Sequence, residues 1–68
     1  MKASQAASKV RAAFKKAGCD PRGQVSVRRS DYEVEIEVSL RWASDDARDA
    51  IEDVINAIPE NGFGWNCY

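Results

Sequence analysis

Residues 24–42 read QVSVRRSDYEVEIEVSLRW, and two alternations within this stretch decide the fold. Val25 and Val27 alternate with polar neighbours. From residue 32 onward Tyr32, Val34, Ile36, Val38, Leu40 and Trp42 alternate with Glu33, Glu35, Glu37, Ser39 and Arg41. Successive side chains of a strand point to opposite faces, so this period of two predicts strands with one apolar face turned to a core. Ser30-Asp31 is the expected two-residue connection of a hairpin, without the glycine that such loops favour. That loop sets Val27 opposite Val34 and Val25 opposite Ile36. It also sets Arg28 opposite Glu33, a cross-strand ion pair of modest value. A slip of one residue would turn every apolar side chain of the longer strand to water, so the register is expected to be held firmly.

Two amphipathic helices flank the hairpin. Before it, Ala3, Ala6, Ala7, Val10, Ala13, Phe14 and Ala17 fall on one helical face. Lys9, Lys16 and Gln5 lie on one flank of that face, with Arg11 and Lys15 on the other. Gly18 stands where a left-handed cap is wanted, and Asp20-Pro21 closes the segment. The apolar face is mostly methyl groups, so the helix can approach a sheet closely. After the hairpin, Ser44 is an N-cap residue, and Asp45 and Asp46 in the first turn complement the helix dipole. Ala47, Ile51, Val54, Ile55 and Ile58 form the buried stripe of this second helix, which Pro59 and Asn61-Gly62 end. Phe63 to Tyr68 alternates again and is expected as a short third strand or docked tail, with Phe63, Trp65 and Cys67 inward. The expectation is a single small α+β domain over residues 1–68, in α-β-β-α-β order, with an antiparallel hairpin sheet and both helices on one face.

Composition narrows the chemistry. The chain has 68 residues, two cysteines (Cys19 and Cys67) and no histidine. A domain of this size buries only about 60% of the surface that its unfolded chain exposes. Without histidine, a structural zinc site and the Ser-His and Cys-His arrangements of nucleophilic catalysis lose their usual members. The four glycines are scattered and form no phosphate loop. Binding is therefore expected rather than catalysis, with no cofactor and no metal. Met1 to Val10 reads MKASQAASKV, without the apolar run of a signal peptide or membrane span, so a cytosolic chain with reduced thiols is expected.

The formal net charge of −1 hides a division. Residues 1–30 carry eight basic side chains against one acid, a net of +7, whereas residues 31–68 carry two against ten, a net of −8. Such asymmetry between halves points to an interaction protein, unless the halves fold onto each other and neutralise. Lys9, Arg11, Lys15 and Lys16 form a candidate nucleic-acid-binding face, although no residue beside them is spaced to read base edges. The acidic set is the sharper candidate for binding a partner: Glu33, Glu35 and Glu37 on the strand, then Asp45, Asp46, Asp49, Glu52 and Asp53 on the second helix. Carboxylates repeating at about 6.6–6.8 Å along a strand can imitate a phosphate backbone.

The chain length, the EVEIEV strand at residues 33–38 and the SDDARDAIED helix at 44–53 together resemble the small anti-CRISPR proteins encoded by phages and mobile elements. The resemblance covers the chain in style and carries no diagnostic motif. It implies a cytoplasmic inhibitor that binds a CRISPR effector complex and blocks target DNA, partly as a DNA mimic. The basic first half departs from a uniformly acidic mimic and leaves ordinary protein–protein blocking open. The expected partner is a protein, with direct nucleic-acid binding as the alternative and no membrane. The chain itself is expected as a monomer or weak homo-oligomer.

Overall fold

A helix rich in alanine needs little more than its two ends secured. In the computed structural model, which describes residues 2–59 and 62–68, α1 spans Ala3–Lys16. Gln5 Oε1 accepts the Lys2 backbone N–H at 3.0 Å, satisfying one donor ahead of the first turn. At the other end Gly18 takes φ +82°, and two bonds close the turn: Gly18 N–H to Lys15 O at 3.0 Å and Cys19 N–H to Phe14 O at 2.8 Å. This is a Schellman cap, and it folds Cys19 back onto the core beside Phe14. Ala3, Ala6, Ala7, Val10, Ala13 and Phe14 are buried, the face that the periodicity predicts, whereas Ala17 serves as the C-cap.

The hairpin forms with its turn one residue further along than expected. β1 (Val25–Arg29) pairs antiparallel with β2 (Val34–Val38), placing Val27 opposite Ile36, Val25 opposite Val38 and Arg28 opposite Glu35. The central turn residues are Asp31 and Tyr32 rather than Ser30 and Asp31. Ser30 makes the difference: its N–H donates to Glu33 O at 2.9 Å, and its Oγ takes the Glu33 N–H at 3.2 Å. A serine hydroxyl that satisfies the backbone at the turn replaces the glycine of a primed hairpin loop. Moving the turn by one residue moves the pairing by two, and an even shift keeps each side chain on its expected face. The expected Arg28–Glu33 pair is therefore not made; Arg28 Nη1 donates instead to Glu37 Oε1 at 2.8 Å, one diagonal step along β2.

β2 is shorter than the alternation from Tyr32 to Trp42. Tyr32 sits in the turn and is 97% exposed, and Trp42 is 81% exposed. Trp42 falls where the chain must reverse into the second helix; Ala43 N–H closes that bend on Leu40 O at 3.1 Å. α2 (Asp45–Ala57) follows, with Ser44 Oγ accepting the Ala47 N–H at 3.2 Å as the N-cap. Ala47, Ile51, Ile55 and Ile58 are buried and Val54 is half-buried. Ile58 is the C-cap; the expected stop at Asn61-Gly62 lies partly outside the described residues.

β3 (Gly64–Cys67) then pairs parallel with β2, Ile36 opposite Trp65 and Val38 opposite Cys67. The sheet is mixed, in the order β1-β2-β3, and both helices lie on its Ile36 and Val38 side. Phe14, Ile36, Ile51, Val10 and Val38 are the largest fully buried side chains. Phe63 is buried and meets Trp65 edge-on, with ring centroids 5.8 Å apart. The other sheet face, bearing Ser26, Arg28, Glu35, Glu37, Asn66 and Tyr68, is bare.

Removing a buried branched side chain from so small a core leaves a cavity that little surrounding structure can fill. Ile36→Ala and Ile51→Ala should each destabilise by about 2–5 kcal/mol in urea unfolding. Tyr32→Ala and Trp42→Ala should stay within about 0.5 kcal/mol of the parent, because both side chains stand in water.

A candidate interaction surface on the second helix

The folded chain separates the two acidic segments into different environments. Asp45, Asp46, Asp49, Glu52 and Asp53 are all exposed on α2. Asp45, Asp49 and Glu52 follow one another at helical steps of four and three, forming one ridge, and Asp46 and Asp53 form a second row about 10 Å long. Asp45 and Asp46 also lie against the positive end of the helix dipole. Among the described residues the one ion pair is Arg28 with Glu37, so none of their cations is paired with an α2 carboxylate. With only Arg48 as a base in the helix, α2 carries five acids against one cation, a net of −4.

The strand carboxylates are less available. Glu33 lies in the turn, outside β2, so the expected repeat of three carboxylates along a strand shrinks to Glu35 and Glu37. Glu37 accepts from Arg28 and, at 3.5 Å, from the Tyr68 hydroxyl, and its side chain keeps only 15% of its exposure. Glu35 is half-buried on the bare sheet face. The structure thus keeps the eight expected acidic residues on the surface but gathers only the five of α2 into one undisturbed field.

The basic set divides in the same way. Lys9, Lys15 and Lys16 are exposed on α1, while Arg11 is drawn inward and donates from Nη2 to Val25 O at 3.3 Å. That bond ties one of the five guanidinium donors to the edge of β1 and leaves Arg11 less exposed than the three lysines. α1 packs on β1 and β2, with α2 against α1, so the charge split of the sequence becomes a lateral one. The basic side of the molecule is at β1 and the acidic side at β3.

Two arginines that composition did not single out lie on the acidic side. Arg41, Arg48, Leu40, Glu52, Cys67 and Tyr68 line a cleft of about 270 Å³ beside β3. Arg48 Nη2 donates to Leu40 O at 3.3 Å, and its buried Nε has no bonding partner. Cys67, expected to point inward, is exposed; partial burial still raises its thiol pKa, and the neighbouring Glu52 carboxylate raises it further. Both cysteines are free thiols. Among the described residues no three side chains of His, Cys, Asp or Glu come together as a metal-binding group, and no helix is long and apolar enough to cross a membrane.

Comparison with protein-family models, with curated proteins and with solved structures finds no match to this chain.

The raised thiol pKa gives a direct check on the packing of α2 over β3. In a Cys19→Ser background, the alkylation rate of Cys67 should reach its midpoint at higher pH than a free cysteine, and Glu52→Gln should lower that midpoint. A folded-state pKa above the unfolded value means the native state holds the proton more tightly. The corresponding stability is present below the unfolded thiol's pKa and is lost as pH rises through the folded one.

Proposed function

We propose that this chain is a small inhibitor-type binding protein whose α2 ridge occupies a cationic, nucleic-acid-handling surface of another protein. The observation that carries the reading is that five exposed carboxylates share one helix and, among the described residues, none is paired with a cation. Carboxylates held on a rigid helix form an ordered negative field, and such a field attracts the lysines and arginines that would otherwise hold phosphates. Occupying those side chains excludes nucleic acid by competition, which is the inhibition implied by the resemblance to anti-CRISPR proteins. A CRISPR effector complex is accordingly the first partner to test. Glu35 and Glu37 contribute less than the strand alternation alone implies, because Glu37 is already engaged by Arg28.

The direct test is capture of purified CRISPR effector complexes by the immobilised chain, followed by titration of any complex retained. Replacing Asp45 and Asp49 by Asn and Glu52 by Gln together should weaken binding by more than about tenfold at low salt, with the difference shrinking as salt screens the pairs. Glu35→Gln with Glu37→Gln should change affinity by no more than about twofold. Equal affinity for the parent and the triple variant would remove the acidic ridge from the mechanism. If the chain alone shifts DNA or RNA at about 50 mM salt, and Lys9, Lys15 and Lys16 replaced by Ala abolish the shift, the basic helix is the working surface instead.

A further inference from the structure

Two bends of the chain are stitched together beside the C-terminal end of α1. One is the cap at Gly18, which folds Cys19 onto the core and leads into Asp20 and Pro21. The other carries β2 into α2 through Ser39 to Ala43. Gln24 joins them, its N–H bonding Pro21 O at 3.0 Å and its C=O accepting the Ser39 N–H at 2.7 Å. A cleft of about 360 Å³ lies between the bends, with Phe14, Cys19, Asp20, Gln24, Ser39 and Trp42 in its lining. Buried Phe14 and half-buried Cys19 give it an apolar floor. Its volume lies within the range of small-ligand sites, about 300–1,000 Å³.

The lining combines an aromatic ring with uncommitted polar groups. Trp42 keeps 81% of its exposure at this cleft, so its indole is open to a second ring. Asp20 Oδ1 accepts the Arg22 backbone N–H at 2.9 Å, which holds the carboxylate in place. Among the described residues no donor of the chain reaches Asp20 Oδ2, and the Gln24 carboxamide, the Ser39 hydroxyl and the Trp42 indole N–H make no hydrogen bond. A pocket with an apolar floor and a few polar groups left over is the usual form of a ligand site. The charges around it are unequal. Lys16 and Arg22, both exposed, stand two residues to either side of the Gly18–Asp20 wall, and among the described residues neither is paired with a carboxylate. Beyond Trp42 the chain runs instead into Asp45 and Asp46.

We propose that this cleft is a binding site for a nucleobase. The complementary ligand is planar, to stack on Trp42, and its edge carries both donors and acceptors, which a hydrocarbon ring lacks. Asp20 accepts from an amino group of the base, whereas the Gln24 carboxamide and Ser39 hydroxyl can serve either kind of group. A carboxylate at the edge favours cytosine over uracil, because cytosine presents an amino group where uracil presents a second carbonyl. The phosphate lies toward Lys16 and Arg22, away from the acidic start of α2. A free nucleotide and one base of a single strand share this chemistry. The cleft includes no residue of the α2 ridge, so the proposal does not rest on the inhibitor reading.

The probes are cytidine monophosphate, uridine monophosphate, ribose 5-phosphate as a control without a base, and an oligocytidine of about eight nucleotides. Cytidine monophosphate should shift the indole resonance of Trp42 and the backbone amides of Cys19, Asp20 and Ser39. It should also slow alkylation of Cys19 in a Cys67→Ser background and bind at least about fivefold more tightly than uridine monophosphate. Ribose 5-phosphate should do neither. Trp42→Ala, whose side chain stands in water, should fold and lower the affinity by more than about tenfold. Asp20→Asn keeps an acceptor for the Arg22 N–H and should erase the preference for cytosine. Oligocytidine bound much more tightly than the mononucleotide, with strong salt dependence, supports the site with a single strand as its source; equal affinities support it with a free nucleotide. No change at the cleft with millimolar cytidine monophosphate or with the oligonucleotide overturns the proposal. Binding that Trp42→Ala leaves intact overturns it, as does an oligonucleotide that moves only the resonances of Lys9, Lys15 and Lys16. So does a protein partner lost on Trp42→Ala when no nucleotide binds, since the cleft is then a protein contact. The acidic triple variant should bind cytidine monophosphate as the parent does, which keeps failure of this site separate from failure of the ridge.

Discussion

β2 holds the molecule together because it is bonded along both edges and buried on one face. Ile36 and Val38 are fully buried beneath the helices, while β1 pairs with Val34–Val38 on one edge and β3 with Glu35–Val38 on the other. The alternation that buries these two side chains also sends Glu35 and Glu37 to the bare face. One strand thus sets what is core, what is surface and where the two sheet edges lie. The even shift in the hairpin register illustrates the constraint: the turn could move by one residue because the faces were preserved.

The charge division gains a direction from this arrangement. The sheet order is β1-β2-β3, α1 covers the first two strands and α2 lies beyond, so the basic and acidic halves of the chain end on opposite sides of the molecule. Neutralisation between halves is limited. One diagonal pair, Arg28 with Glu37, crosses the hairpin, its arginine largely in solvent and its carboxylate mostly covered. The α2 carboxylates keep their field, with Arg48 held back by its bond to Leu40 O.

The same side of the molecule carries the bare strand edge. Small proteins usually protect a sheet edge by a charge, a bulge, a proline or a covering loop. Here Arg11 Nη2 bonds Val25 O at the β1 edge, and among the described residues no side chain bonds the backbone of Trp65 or Cys67 at the β3 edge.

The residues themselves determined the two helices, the hairpin, the α+β class and the acidic character of α2. Each of these depends on local periodicity, on a cap such as Ser44, or on a backbone need such as the positive φ of Gly18. Tertiary structure decided the rest. Alternation gave Tyr32 and Trp42 the same weight as Ile36, yet both fall at reversals of the chain, where no neighbouring strand or helix remains to cover them. The turn moved because the Ser30 hydroxyl could serve the Glu33 backbone. Glu37 was withdrawn from the acidic surface because the new register brought Arg28 within reach. The parallel docking of β3 against β2, and with it the cleft and the bare edge, depends on contacts between residues far apart in the chain, such as Ile36 and Trp65, for which neither periodicity nor capping leaves a local signal.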